Sequence, residues 1–395
     1  MNLKKTVLIA AAAGALTALA IPAMAETTLY GSFRLATVYD TSQAAYLDGT
    51  PTPTKRGDFD LRNQGNSRFG AKFSEGKLGG QVELGIGGVA AQQPAGNVSG
   101  TGAGIGGGGN SAVYTRLVFG TYKFDFGTLL VGQTYSPYWF VSDQVSSDDQ
   151  GNNGFGSIYD GRNPQIKLTL SNGVYVAAIR PGNAAAGSYS NPYTASTNYG
   201  TSNTYLPKVA VGYDGKSGNF AFGGGVAGQY YTVQSAVTSD KNNNKDITSV
   251  LGYAHGKYVS GPVSVGLNIG YGQNIGSMGI AEGISPVWKT GLTELEDVTT
   301  LSLLLTGGFT LSDMVKIQAG IGYITNDGKT TAGTDWKNKD NKLSAYVNAP
   351  ITIAKNFTVV PEFTYQDHLD DNNAANTDQK GQKDYIVGAK WQFDF

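Results

Sequence analysis

From Glu26 onward the chain alternates apolar and polar side chains with a period of two, segment after segment. Alternate residues of a strand face opposite sides of a sheet, so each segment presents one greasy and one wet face. The clearest case is the last, Asp384 to Phe395, where Tyr385, Val387, Ala389, Trp391, Phe393 and Phe395 form one set and Lys390, Gln392 and Asp394 the other. Its length suits a tilted strand crossing a bilayer, and its aromatics sit at the end. The same pattern predicts strands near 28–40, 60–74, 78–90, 111–124, 127–135, 164–171, 173–181, 204–214, 218–232, 246–259, 262–273, 297–310, 314–325, 341–353, 356–367 and 383–395, sixteen in all.

Connections alternate in length. Short ones fall at 74–77, 125–126, 171–173, 214–218, 260–261, 311–313 and 354–355, and long polar ones near 41–59, 91–110, 136–163, 182–203, 233–245, 274–296, 326–340 and 368–382. Short turns on one rim and long loops on the other are the plan of an up-and-down outer-membrane barrel. Phe73, Phe124, Phe126, Phe220, Phe309, Phe357, Phe393 and Phe395 gather beside the short turns, as an interfacial girdle does. The predicted fold class is therefore all-β, a 16-stranded antiparallel transmembrane barrel, with the third long loop folded inward.

Charge follows the wet face. Arg34, Arg68, Lys72, Glu83, Lys167 and Lys316 all oppose an apolar set on their own strand. A cation at the lipid midplane costs about 2–4 kcal/mol and one in an aqueous lumen almost nothing, which gives the sorting an energetic cause. The segment 246–259 resists orientation, because Leu251 and Tyr253 share parity with His255 and Lys257.

Composition narrows the class. The 56 glycines and 23 tyrosines, with 15% charged residues, suit close-packed strands, and no apolar run past residue 25 is long enough for a spanning helix. Residues 1–25 read as a signal peptide: Lys4 and Lys5, an apolar run from Val7 to Ile21, and Ala23-Met24-Ala25 as cleavage site, leaving 26–395 as one barrel domain. Removing Lys4 and Lys5 takes the net charge from -1 to about -3, too little to imply nucleic acid as a partner. With no cysteine, disulfides, thiolate metal sites and cysteine nucleophiles are excluded.

Candidate chemistry is sparse. Gly102-Ala103-Gly104-Ile105-Gly106-Gly107 spells GxGxxG, but a strand rather than a helix follows, so it reads as loop. Arg56-Gly57-Asp58 reads as a solvated turn. His255 and His368 lie far apart without metal-ligand spacing, and no serine has a placed base, so neither metal, cofactor nor enzymatic activity is expected. The informative segment is 136–163, where Asp143, Asp148, Asp149 and Asp160 interleave with Trp139, Phe140, Phe155 and Tyr159. Folded into the lumen, its carboxylates would oppose a basic wall of Arg34, Arg62, Arg68, Lys72, Arg116 and Lys167, selecting permeants by size and charge. The alternative is that these acids solvate an external loop.

Ser67-Arg68-Phe69-Gly70-Ala71-Lys72-Phe73-Ser74-Glu75-Gly76-Lys77-Leu78-Gly79, Arg116 through Gly120, and Phe126-Gly127-Thr128-Leu129-Leu130-Val131-Gly132-Gln133-Thr134-Tyr135-Ser136-Pro137 resemble strands two, four and five of the general porins of Gram-negative outer membranes. That resemblance implies a homotrimer in the outer membrane, in contact with its lipid and lipopolysaccharide. Each subunit would carry a water-filled pore for ions and small hydrophilic solutes. It also implies that Phe395 is the residue recognised by the barrel assembly machinery, that Arg68 and Arg116 belong to the basic wall, and that the acids after Pro137 belong to the constriction loop. Gln133 departs from the family, many members of which have arginine there. Rival readings are a substrate-specific channel for sugars or anions, a plugged structural or adhesive barrel, and a barrel hydrolase.

Overall fold

The computed structural model describes residues 26–44, 46–47, 52, 55–87, 112–139, 144–145, 155–182, 202–233, 244–280, 283–288, 295–329, 340–369, 371–372 and 378–395. They form a closed antiparallel barrel of sixteen staves. The staves are β1 (Glu26–Gln43), β2 (Arg56–Asn63 and Arg68–Glu75), β3 (Leu78–Gly87), β4 (Ala112–Phe124), β5 (Gly127–Tyr135) and β6 (Arg162–Leu170). Next come β7 (Val174–Ile179), β8 (Ser202–Asn203 and Lys208–Ser217), β9 (Phe220–Val233), β10 (Lys245–Ser260) and β11 (Val263–Gln273). The last are β12 (Thr299–Thr310), β13 (Lys316–Asp327), β14 (Asp340–Asn348 and Ile351–Ala354), β15 (Phe357–Asp367) and β16 (Lys383–Asp394). Each pairs with its chain neighbour, and β1 pairs with β16 from Ser32↔Asp394 to Gln43↔Lys383, so the sheet has no free edge.

Three predicted strands are interrupted, each for a local reason. In β2 the chain turns at 64–67: Ser67 N donates to Gln64 O, Gln64 N reaches Arg34 O at 2.9 Å, and the Ser67 hydroxyl bonds both backbone groups of Arg34. In β8 and β14 the breaks fall at Leu206-Pro207 and Ala349-Pro350, where proline supplies no ladder donor. The short turns need left-handed backbone, met at Gly76 (φ 58) and Gly261 (φ 53). Small elements sit among the long connections: a three-stranded sheet of Tyr46–Leu47, Asp371–Asn372 and Asp378–Lys380, a hairpin of Val287–Trp288 with Leu295–Glu296, and a 3-10 turn at Ile275–Met278.

The predicted alternation reads directly off exposure. On β1, Leu29 (61%), Phe33 (50%) and Tyr39 (50%) stand outside, while Arg34 (8%) and Ala36 (0%) point in. Val131, Ile166, Val226, Leu267, Leu305, Ile321, Phe363 and Val387 continue the exposed apolar belt around the wall. In water such a belt is an aggregation surface, and in lipid it is solvated. Girdle aromatics stack at the short-turn rim: Phe124 on Phe126 at 5.2 Å, Phe357 on Phe393 at 4.4 Å, and Phe395 beside Phe33 at 5.3 Å.

The strand that the sequence leaves unoriented is settled. On β10, Ile247, Ser249, Leu251 and Tyr253 are buried on the inner side, whereas Val250 and Tyr258 are exposed outside, so His255 and Lys257 face inward. Leu251 and Tyr253 are apolar and inward because they lie beneath other protein, in a cluster with Tyr138, Ile158, Ile275, Met278 and Ile280.

Candidate permeation pathway

The inner face of β1 to β4 is organised around one carboxylate. Register places Tyr30, Gly70, Glu83 and Leu117 in one row across the four staves. A β-bulge where β3 meets β4, at Glu83/Leu84, inserts an extra residue there and brings both Arg116 and Leu117 to the buried side. Arg116 Nε then donates to Glu83 Oε1 at 2.6 Å, and Arg68 Nε lies 3.6 Å from Glu83 Oε2. Tyr30 lies over Gly70, where a Cβ would strike its ring, and its hydroxyl donates to Glu83 Oε2 at 2.8 Å. Lys72 Nζ sits 5.3 Å above the Tyr30 ring.

The basic residues expected from the sequence therefore divide. Arg68, Arg116 and Lys72 gather around Tyr30 and Glu83, three cations to one carboxylate among the described residues. Arg34 stands on the same face of β1, its Nε donating to Ser32 Oγ at 3.0 Å. Arg62 pairs locally with Asp60 at 3.4 Å. Lys167 lies apart on β6, over the Tyr175 ring at 5.4 Å. Gln133, where the resemblance expects arginine, donates its amide to the Thr115 and Arg116 carbonyls at 3.1 and 3.3 Å, capping backbone groups beside the bulge.

Described parts of the third long loop lie against the inner face. Val145 N donates to Glu362 Oε2 at 2.8 Å, Gln64 Nε2 donates to Val145 O at 2.9 Å, and the Val145 side chain packs on Ala36, Val38 and Val360. Gly156 O accepts from Ser302 Oγ at 2.7 Å. Its own Cβ position is occupied by the backbone of Leu303 and Tyr323, so the chain passes here in backbone contact with β12 and β13. Ile158 covers Gly270 of β11. At the loop's root Tyr135 stacks on Trp139 at 3.7 Å, and Arg162 lies 4.8 Å from the centre of the Tyr135 ring.

Of the four loop acids, Asp143, Asp148 and Asp149 lie outside the described residues, as does the GxGxxG stretch. Asp160 is described, and it is not presented to a passage. Its side chain is 1% exposed, and its Oδ2 accepts from Lys208 Nζ at 2.5 Å, Ser136 Oγ and Asn163 Nδ2 at 3.0 Å, and the Tyr138 hydroxyl. Burial first, and Asp160 second, push the Tyr138 hydroxyl well above its ordinary pKa, so it remains a donor. Its charge is compensated by the Lys208 ammonium and directed away from any passage. Lys208, its partner, was not singled out by the sequence reading; the alternation of Lys208-Val209-Ala210-Val211 is the signal that could have found it, with Val209 and Val211 exposed outside.

The histidines remain separate. His255 Nε2 is 3.3 Å from Asp214 Oδ1, a pairing across β8 and β10 that sequence spacing hides, and the His368 ring meets Phe155 edge-on at 5.3 Å. Among the described residues no group of three or more metal-ligating side chains occurs.

A closed sixteen-stave wall, apolar outside and charged within, with loop segments laid on its inner face, defines a porin-type barrel. No family model and no curated protein sequence matches the chain. Solved structures do. The outer membrane channel DcaP of Acinetobacter baumannii is 17% identical, covers 95% of this chain and 98% of its own, and superposes with a TM-score of 0.65. The anion-selective porin from Comamonas acidovorans (14% identical, 93% and 100% covered) and the trimer form of OmpT of Vibrio cholerae (16%, 93% and 99%) each give 0.50. At these identities the likeness is one of fold.

Proposed function

We propose that the protein is an outer-membrane porin, a passive channel for ions and small hydrophilic solutes and not an enzyme. The observation carrying this reading is the sorting of side chains across a closed wall, with an exposed apolar belt outside and Arg68, Lys72, Glu83 and Arg116 within. Only lipid outside and water inside make both faces favourable, and a barrel of this strand number encloses an aqueous channel. The cationic cluster on β1 to β4 forms the basic wall, extended by Arg34, Arg62 and Lys167. Asp143, Asp148 and Asp149 of the third loop supply the opposed acids, so that a transverse field selects permeants. Residues 1–25 are the signal peptide, Phe395 serves the assembly machinery, and the functional unit is a homotrimer among outer-membrane lipid and lipopolysaccharide. The trimer form of OmpT supports that last reading.

Purified protein inserted into a planar bilayer should give stepwise, non-saturating conductance. Changing Asp143, Asp148 and Asp149 together to asparagine should move the reversal potential in a salt gradient towards anion preference. Insertion without conductance steps would refute the channel, and an unmoved potential would refute the placement of the acids.

A further inference from the structure

The lumen is lined unevenly. On β1 to β4 the inward residues are mixed, with Lys72 exposed and Arg68 29% exposed but Arg34, Glu83 and Arg116 buried at 2–8%, whereas on β7 to β10 Ala177, Ile179, Ala210, Ala227, Ser249 and Leu251 are 0–1% exposed and mostly apolar, although their neighbours in sequence face lipid. Two connections cover them. One is the third loop, through Tyr138 and Ile158; the other is the connection between β11 and β12, through Ile275, Met278 and Ile280. The second is anchored to the wall by polar contacts. Gln229 Nε2 donates to Ser277 O at 3.1 Å, while its Oε1 accepts from Gly182 N at 2.7 Å. Asn274, in left-handed conformation at φ 55, ties the base by donating to Thr248 O at 3.1 Å and accepting from Val298 N at 2.9 Å.

Lys208 joins the two. Its side chain is 0% exposed, and its ammonium donates to Asp160 Oδ2 of the third loop at 2.5 Å and to Met278 O of the second connection at 3.0 Å. A buried ammonium has to be compensated, and both of these acceptors belong to inward segments.

We infer that residues 274–280 are a second inward loop, that together with the third loop they close the β7 to β11 side of the lumen, and that Lys208 is the positioning residue holding both. This rests on the porin reading and adds to it a second segment that narrows the lumen and the residue that keeps it in place.

The chain has no cysteine, so one introduced thiol reports access without background. Ala227→Cys and Lys72→Cys are each treated, in folded protein in vesicles, with a charged water-soluble methanethiosulfonate. Lys72→Cys should label quickly and lower the conductance, while Ala227→Cys stays protected. Adding Lys208→Met, which leaves Asp160 buried without its cation, should raise labelling at Ala227→Cys by about 100-fold or more, since losing one partner of a buried pair is costly at about 1.4 kcal/mol per tenfold. Single-channel conductance should rise with it. Should Lys208→Met not fold, as judged by heat-modifiable migration, Met278→Ala trims the same loop where it packs on the wall and leaves every wall residue in place, with the same expectation. Labelling of Ala227→Cys as fast as Lys72→Cys in the otherwise unaltered protein overturns the second loop. Unchanged labelling and conductance in Lys208→Met overturn the role of Lys208. A barrel that conducts nothing in any variant refutes the porin reading instead, and the labelling ratio still reports the loop.

Discussion

Changing Glu83 to Gln removes the carboxylate that, among the described residues, pairs with Arg116, and keeps the shape of the side chain. The two side chains are 5% and 3% exposed, and their closest atoms are 2.6 Å apart. With charge centres about 4 Å apart at an effective dielectric of about 20, the lost attraction is about 4 kcal/mol. The amide oxygen of Gln can still accept from Arg116 Nε, recovering about 1 kcal/mol. The expected destabilisation is about 3 kcal/mol, at the lower edge of the range for breaking a buried pair from one side. In a urea titration of vesicle-inserted protein followed by tryptophan emission, an m-value of about 3 kcal/mol/M converts this to a midpoint lower by about 1 M. Glu83→Gln combined with Arg116→Met should lose far less than the sum of the single changes, because the uncompensated guanidinium is gone. A midpoint shift below about 0.3 M for Glu83→Gln, or strict additivity in the cycle, would mean that the carboxylate faces bulk water and that the inner wall is not built around it.

Two further changes test the wall elsewhere. Tyr175, Gly212, Gly225 and Tyr253 form a row across β7 to β10, and the two tyrosines meet over the glycines with hydroxyls 2.5 Å apart. Tyr253→Phe strands the Tyr175 hydroxyl and should cost about 1–2 kcal/mol in the same titration; a neutral result would mean that water satisfies it. Lys77→Ala removes a pair with Asp125 that is close (2.8 Å) but 56% and 95% exposed, so its effect on the midpoint should be under about 1 kcal/mol, and a larger loss would refute the assignment of that turn to the solvated rim.

The architecture was legible because one energetic rule acts at every stave: a side chain on the outer face meets lipid. That rule sorted Arg34 from Phe33 and Lys167 from Ile166 without reference to any partner. What it did not give were breaks set by one residue, at Pro207 and Pro350, or by a tertiary contact, as where the Ser67 hydroxyl takes both backbone groups of Arg34. Short-range pattern carries no information about such contacts. The cationic cluster was legible only as a set of inward residues. That Arg116 rather than Leu117 alone turns inward depends on a bulge, and the separation of Lys167 from the rest depends on register across several staves.

Asp160 and β10 expose the limit of the parity argument. An acidic, aromatic loop was expected to bring its carboxylates to the passage, yet Asp160 is spent on Lys208, a pairing 48 residues apart in sequence. On β10, apolar residues share the inner face with His255 and Lys257, which under a rule of lipid outside and water inside is a contradiction. The contradiction disappears once the inner face is allowed two solvents. Where loops lie on the wall, Leu251 and Tyr253 are buried by Ile158, Ile275 and Met278; further along the same strand, beyond the cluster, Lys257 is exposed. Alternation therefore certifies only that a residue is away from lipid. Whether it meets water or protein is decided by the loops, and the inward apolar positions of a barrel strand are themselves the sequence trace of a loop folded over them.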